Sequence, residues 1–372
     1  MTEVFDICDV LGPEKIIHIH NEAAGLRAIV VIDNTAIGPA IGGVRMAPDV
    51  TLSECARLAR AMTLKNAAAG LPHGGAKSVI VASPTMKTSR KEALMRAFAQ
   101  AIEQIADYIP GPDMGTNETC MAWIHDENSR AVGLPRVIGG IPLDDIGATG
   151  FGVAIATEVA QNFCGVDLAG ARVAIQGFGA VGKHAALNLA EKGARIVAVS
   201  DSRGAVFDQD GLDLSRLLSL KADNKGVCEL AGAHVAERDT LIAADCDILI
   251  PAARPDIIDD TNAADVRAKL IVQGANIPVT ATAEDTLHKR GVLMIPDFIA
   301  NAGGVICASV EFHGGTENLA MTAIEENIRR NTMEVLQQSR DEAIMPRQAA
   351  NKLAATRIRE AMALRRFYRN RH

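Results

Sequence analysis

Residues 172–201 read RVAIQGFGAVGKHAALNLAEKGARIVAVSD. A β-branched run, 172–177, leads into Gly177-Phe178-Gly179-Ala180-Val181-Gly182. A helix-forming stretch then continues to about Lys192, and a second apolar run, 195–200, ends at Asp201. A GxGxxG alone can be a turn that binds nothing. Here it has a strand before it, a helix after it and an acid about 20 residues on, the context of a dinucleotide-binding unit. Gly177 permits the tight turn, and Gly179 lets a pyrophosphate approach the backbone. Gly182 allows close helix–strand packing, and the helix N-terminus offers N–H groups to phosphates. Asp201 stands where a carboxylate accepts hydrogen bonds from the adenosine ribose and repels a 2′-phosphate, which favours NAD. Arg203 offers that phosphate a partner, so NADP stays open.

Working outward, further short apolar runs at 247–251, 270–273 and 292–295 alternate with helical stretches. Continuous apolar strands separated by helices predict a parallel sheet covered on both faces. The expected fold class is therefore α/β. A Rossmann-type, doubly wound domain spans 146–334, and an α/β substrate and oligomerisation domain spans 1–145. In that first domain 27–33 reads as a strand. Residues 52–66 read as a helix with Cys55, Leu58 and Met62 on one stripe, and 88–106 as a helix with Leu94, Phe98, Ala101 and Ile105 inward. The Pro/Gly-rich stretch 109–112 reads as loop. From about 317 the chain is helical, broken near Pro346, and 335–372 are expected to pack back on the first domain, leaving a cleft between the two domains.

Composition narrows the function. Of the 372 residues 48 % are hydrophobic and 22 % charged, an ordinary globular balance with room for two cores. A net charge of -7 offers no general attraction to nucleic acid or to an anionic membrane. Arg365, Arg366, Arg369 and Arg371 read as favourable charge at a helix C-terminus. Seven scattered cysteines, none in a CxxC, suit reduced thiols in a cytoplasm rather than disulfides or a zinc site. His18 and His20 read as residues of a strand without a metal, and no metal site is expected. The chain shows no run of about 20 apolar residues and no basic-then-apolar start, so no membrane segment is expected.

Three residues carry charge in unusual settings. Lys65 continues the Cys55, Leu58, Met62 stripe, where a cation costs desolvation unless it is paired; a lysine snorkelling at a helix end is the alternative. Lys77 follows Gly74-Gly75-Ala76, small residues that admit another molecule near its amine, and an ordinary turn lysine is the alternative. Asp113 lies in Pro110-Gly111-Pro112-Asp113-Met114-Gly115, where two prolines stiffen the loop that aims its carboxylate; a simple turn aspartate is the alternative.

These segments together resemble the glutamate/leucine/phenylalanine/valine dehydrogenase family over nearly the whole chain. The resemblance rests on Gly38-Pro39-Ala40-Ile41-Gly42-Gly43-Val44-Arg45-Met46, Leu64-Lys65-Asn66-Ala67 and Gly70-Leu71-Pro72-His73-Gly74-Gly75-Ala76-Lys77. It continues through Pro112-Asp113-Met114-Gly115-Thr116-Asn117, Ala148-Thr149-Gly150, the glycine turn, Gly274-Ala275-Asn276, and Pro296-Asp297 to Asn301-Ala302-Gly303-Gly304. It implies that Lys65 binds the substrate α-carboxylate, that Lys77 is the catalytic base, and that Asp113 holds the substrate amine and shuttles protons. It also sets Gly42, Gly43, Met62, Ile41, Val305 and Ala308 at the substrate, and Thr149, Ala253, Asn276 and Asn301 at the cofactor. The implied reaction is reversible oxidative deamination of an L-amino acid to a 2-oxo acid and ammonia, by a homo-oligomer, hexamer or octamer.

The side-chain pocket departs from the glutamate-specific branch. That branch has a lysine just before the paired glycines, where this chain has Ile41. It also has a serine three residues after the valine of NAGGV, where this chain has Ala308. Losing both polar partners leaves a substrate carboxylate unpaired, at a cost of several kcal/mol (order of magnitude). The sequence reading therefore puts an apolar side chain first, such as leucine, valine or phenylalanine. A glutamate dehydrogenase with an altered pocket comes second, with Arg45 or His73 as substitute polar groups. A non-catalytic NAD-binding homologue is the third alternative.

Overall fold

The computed structural model describes residues 4–365, and the chain divides into two compact units. Arg366, Arg369 and Arg371 of the C-terminal basic cluster lie outside the described residues.

The first unit comprises the chain up to Pro142 together with Val305–Ala320 and the residues from Asn351 on. Its strands are β1 (Lys15–Asn21), β2 (Leu26–Asn34), β3 (Ala40–Ala47), β4 (Gly74–Val81) and β5 (Tyr108–Pro112), and its first three helices are α1 (Leu52–Ala68), α2 (Thr88–Ala101) and α3 (Glu118–Asn128). The sheet order is β1-β2-β4-β3-β5. Strand β3 runs parallel to both of its neighbours, and β2 is antiparallel to β1 and β4. Side chains alternate faces along each strand. The even-numbered face (Val30, Ile32, Val44, Met46, Ala76, Ile80) packs on Leu94, Met95 and Phe98 of α2 and on Cys120, Met121 and Ile124 of α3. The odd-numbered face (Val31, Ala47, Val79) packs on Cys55 and Ala59 of α1. Thr51 caps α1 by accepting from the Glu54 N–H, and Asn117 caps α3 the same way at Cys120.

Three local expectations fail here. Residues 109–112 are strand β5, not loop. That strand sits at the sheet edge, the one place where prolines can join a sheet without removing a central ladder bond. Helix α2 ends at Ala101, short of 106, and Ala101 is exposed; Leu94 and Phe98 do face inward, with Met95, Ala99 and Ile102, and Ile105 packs on the same core from beyond the helix. On α1 the buried stripe is Cys55, Ala59, Thr63, Asn66, while Leu58, Met62 and Lys65 are half-exposed. The helix lies so close to the sheet that a Cβ on Gly75 would stand 2.0 Å from the Thr63 backbone nitrogen. Only small residues fit such an interface, so the large ones turn aside.

The second unit comprises Leu143–Gly304 and Met321–Ala350. Its elements in order are α4 (Ala148–Cys164), β6 (Arg172–Gln176), α5 (Ala180–Glu191), β7 (Arg195–Asp201), β8 (Gly204–Phe207), α6 (Leu214–Ala222), β9 (His234–Ala236), β10 (Ile248–Pro251), β11 (Leu270–Val272), α7 (Ala281–Lys289), β12 (Leu293–Ile295) and α8 (Asp297–Ala300). The sheet order is β12-β11-β10-β6-β7-β8-β9, parallel from β12 to β7 and antiparallel at β8 and β9. After β6 the chain runs outward on one side, then returns to β10 on the other. The order thus reverses between β6 and β10, and ligands of such sheets bind beyond the strand ends at that reversal.

Three C-terminal helices follow, α9 (Gly303–Phe312), α10 (Glu317–Glu342) and α11 (Pro346–Ala363), with the break before Pro346 as expected. The chain divides differently from the boundaries drawn at 145/146 and 334/335: Val305–Ala320 group with the first unit and Met321–Ala350 with the second. Glu311 accepts from the Leu134 and Ile141 N–H groups, which ties α9 to the first unit. Arg329 on α10 bonds Glu158 on α4, and Ile328 fills the space where a Cβ on Gly152 would stand.

Candidate active site

The register of the first sheet explains the paired glycines. In β3 and β4, Val44 pairs with Ser78, so Gly43 lies beside Lys77; in β3 and β5, Gly43 pairs with Gly111 and Val44 with Pro112. Lys77 and Asp113 therefore flank Gly43 from opposite sides, and they meet over it. The Lys77 Nζ lies 2.9 Å from Asp113 Oδ2. A Cβ on Gly43 would fall 2.7 Å from the Asp113 Cβ and 3.1 Å from the Lys77 Nζ. The missing side chain is the space that the ion pair occupies.

The loop carrying Asp113 is fastened to β3. The Thr116 hydroxyl donates to the Val44 carbonyl at 2.8 Å, and it accepts from the Asp113 N–H at 3.0 Å. The Met46 N–H donates to the Met114 carbonyl, and Gly115 takes a left-handed φ of 84° with no room for a Cβ beside the Met46 carbonyl. Arg45 completes the cluster, donating from Nε to Asp113 Oδ2 at 2.9 Å and from Nη1 to Glu54 at 2.6 Å. Burial pushes the Asp113 carboxyl up, but the Lys77 and Arg45 charges outweigh it and hold the group below the usual carboxylate range. Asp113 is thus an ionised acceptor at neutral pH.

Lys65 sits half-exposed in the last turn of α1, with Met62 also half-exposed. Ile41, two residues before Gly43 on the same strand face, packs with Ile109, Val132 and Ala308 in one apolar cluster. Val305 is half-buried at the point where α9 enters the first unit. The two polar substitutes considered for a side-chain carboxylate are both committed elsewhere. Arg45 is bound to Asp113 and Glu54. His73 is fully buried with Nδ1 against the Pro39 carbonyl, and burial pushes its pKa down to about 4, so it is neutral near pH 7.

The second unit gathers the residues of the glycine turn. Gly177 has a left-handed φ of 99°, and its absent Cβ would collide with Ala253 of the loop after β10. A Cβ on Gly182 would stand 2.0 Å from the Gly177 carbonyl oxygen, whereas nothing lies within 4 Å of the position a Cβ would take at Gly179. The Gly177 and Phe178 N–H groups are spent on the Ser200 carbonyl, and the Phe178 side chain is buried. Ala180, Val181 and Gly182 open α5, whose N-terminus carries the free N–H groups.

A cavity of about 410 Å³ is lined by Gln176, Gly177, Phe178, Gly179, Ser200, Asp201 and Ala253, among others. Gln176 Oε1 and Ser200 Oγ are buried without a hydrogen-bond partner. Such atoms normally find one, and both line this cavity. The open approach at Gly179 and the two orphaned polar atoms fit a dinucleotide. Nearby, Asn301 donates to Asn276 Oδ1 at 2.9 Å, Gly303 packs tightly on the Ala148 carbonyl, and Gly304 lies beside the Thr149 hydroxyl.

The structure thus joins Lys77, Asp113 and Gly43, joins Ile41 with Ala308, joins Asn276 with Asn301, and gathers Gly177, Gly179, Asp201 and Ala253 around one cavity. Sequence reading missed Glu54, Lys221 and Arg254, which belong to these clusters. Arg45 was noted only as a substitute for a missing lysine; its position directly after Gly42-Gly43-Val44 was the available signal. No helix among the described residues is long and apolar enough to cross a membrane. No group of three or more His, Cys, Asp or Glu among them could hold a metal ion.

Comparison with known proteins agrees with these parts. Residues 13–130 match the Glu/Leu/Phe/Val dehydrogenase dimerisation domain, and residues 139–366 match the Glutamate/Leucine/Phenylalanine/Valine dehydrogenase domain. A glutamate dehydrogenase of Aeropyrum pernix is 39 % identical over 89 % of this chain and 85 % of its own length. An NADP-specific glutamate dehydrogenase of Saccharolobus shibatae is 42 % identical over 75 % of this chain and 69 % of its own. The hetero-hexameric glutamate dehydrogenase of Thermus thermophilus, in its leucine-bound form, superimposes with a TM-score of 0.82 at 29 % identity, covering 95 % of this chain and 90 % of that one. The chain belongs to the glutamate/leucine/phenylalanine/valine dehydrogenase family and is a nicotinamide-dependent oxidoreductase acting on CH–NH2 donors.

Proposed function

We propose that the chain deaminates an L-amino acid at the Lys77–Asp113 pair, and that the meeting of these two side chains over Gly43 is the observation that carries the reading. When bound, the nicotinamide supplies the hydride acceptor for the substrate Cα–H. Lys65 is the cation for the substrate α-carboxylate, and fixing that anion orients the Cα–H bond. Asp113, ionised between Lys77 and Arg45, accepts hydrogen bonds from the substrate amine. Once Cα has become an iminium carbon, Lys77, neutral after passing its own proton across the 2.9 Å contact to Asp113, takes a proton from the attacking water. The carbinolamine then collapses as Asp113 passes a proton to the departing nitrogen, leaving the 2-oxo acid and ammonia. The 2.9 Å contact between Nζ and Oδ2 lets one proton serve both groups. In the second unit Thr149, Asn276 and Asn301 are the residues for the nicotinamide end, and the glycine turn is for the pyrophosphate. The dimerisation-domain match supports an oligomer; a homo-oligomer, hexamer or octamer, is the reading of the resemblance.

Glutamate is the substrate that the names of the relatives support, at 39 % and 42 % identity. A specific observation favours a second reading, an apolar side chain. Ile41, Ile109, Val132 and Ala308 form an apolar cluster, and Arg45 and His73 are unavailable to a second carboxylate. Initial rates on L-glutamate, L-leucine, L-valine and L-phenylalanine with NAD and NADP decide between them. Glutamate turnover above every apolar substrate establishes the first reading and removes the second. The reverse order, by tenfold or more, does the opposite. Dinucleotide binding without turnover of any amino acid, or of any 2-oxo acid with ammonia, would overturn both.

A further inference from the structure

We infer that the cavity beyond β6 and β7 is built to hold the 2′-phosphate of NADP, so that NADP binds in preference to NAD. The inference rests on reading this cavity as the dinucleotide site. The sequence alone favours NAD, because Asp201 stands where a free carboxylate receives the ribose hydroxyls and repels a phosphate. In the structure that carboxylate is not free. Its Oδ2 accepts from the Lys221 Nζ at 2.9 Å and from the Val227 N–H at 3.1 Å, and its Oδ1 accepts from the Arg203 N–H at 2.8 Å. The side chain is 8 % exposed. Its charge is balanced by Lys221, and three of its roughly four acceptor positions are spent inside its own domain. Such a group receives ribose hydroxyls poorly and repels a phosphate weakly.

The cavity wall supplies what a phosphate needs. Besides Asp201 it carries Ser202, Lys221, Arg238 and Arg254. Arg238 is held by Asp239 through two hydrogen bonds, and Asp239 also senses the charge of Arg254. Three cations therefore face two carboxylates, and one positive charge is left over. Arg254 is exposed and makes no ion pair of its own among the described residues. The arginine suggested by sequence, Arg203, is not the one available. Its guanidinium donates to the Asn224 carbonyl at 2.8 Å and lies 3.7 Å from Glu229. The orphaned Ser200 Oγ and Gln176 Oε1 at the same cavity independently indicate that a polar ligand completes it.

Equilibrium titration of the full chain tests this with four probes: NADP, NAD, 2′,5′-ADP and 5′-ADP. NADP is expected to bind at least about tenfold more tightly than NAD, and 2′,5′-ADP more tightly than 5′-ADP by a similar factor, the scale of charge-assisted hydrogen bonds. Arg254→Ala, an exposed change, is expected to weaken NADP about tenfold and to leave NAD within about threefold, and added salt is expected to weaken NADP more than NAD. NAD binding as tightly as NADP, or an equal loss of both in Arg254→Ala, overturns the inference while leaving the dinucleotide reading in place. Binding of neither dinucleotide overturns both.

Discussion

Each unit holds a buried cluster of charges, and the two clusters are closed to different degrees. In the second unit Arg347 donates to Glu284 at 2.7 Å, to Asp297 at 3.0 Å and to Gln273 at 2.8 Å. Gln273 in turn donates to Glu284, and the Ile277 N–H donates to the other Asp297 oxygen. Every nitrogen of the guanidinium has an acceptor. Ile277 is held at a φ of 43°, an unfavourable value for a β-branched residue, directly after Asn276. In the first unit Lys77 is buried more deeply than Arg347, yet among the described residues its three ammonium donors meet one protein acceptor, Asp113. A closed cluster holds backbone in place. An open one keeps donors for a molecule that arrives later.

That contrast can be broken most severely at Lys77. Lys77→Ala is expected to lower kcat by about 10³-fold or more, the scale of a lost general base, while the dinucleotide dissociation constant stays within about threefold. A kcat within tenfold of the wild type would remove Lys77 from the chemistry and leave its open donors without a purpose. The second effect belongs to the closed cluster. Arg347→Met leaves Glu284 and Asp297 as buried, uncompensated carboxylates and is expected to cost about 3–5 kcal/mol of stability, read as a lower urea midpoint. Unchanged stability would mean that the two clusters do not differ as described. The smallest effect concerns His73, four residues before Lys77, whose Nε2 is buried without a partner. Burial holds this group down at about 4, below its ordinary 6.5. As pH falls from 6.5 the unfolded chain takes up a proton that the folded one refuses, so stability declines until about 4, where both are protonated. His73→Phe is expected to flatten that limb of the denaturation profile, and an unaltered limb would place the proton uptake elsewhere.

How much of this was legible follows from how local each signal is. The strand-turn-helix of 172–192 depends on neighbours a few residues apart, and β6, α5 and β7 follow it closely. The α1 stripe was misread although its helix was found. Periodicity ranks faces by hydrophobicity, and the contact with Gly75 selects them by size. Pro110 and Pro112 were misread for a similar reason, since nothing in the chain announces that a strand will lie at an edge. The side-chain pocket is still divided between the names of the relatives and the residues at 41 and 308.

The linear chain by itself determined the α/β class, the glycine turn, and the candidacy of Lys77 and Asp113, because each is written in residues adjacent along the backbone. Only the folded molecule decided that Gly43 is empty so that those two groups can touch. It alone revealed that Asp201 is already neutralised by Lys221, and that Arg254 rather than Arg203 faces the cavity. Those facts depend on strand register and on loops 20 to 50 residues away, where electrostatic partners are chosen by distance in space and leave no trace in spacing along the chain.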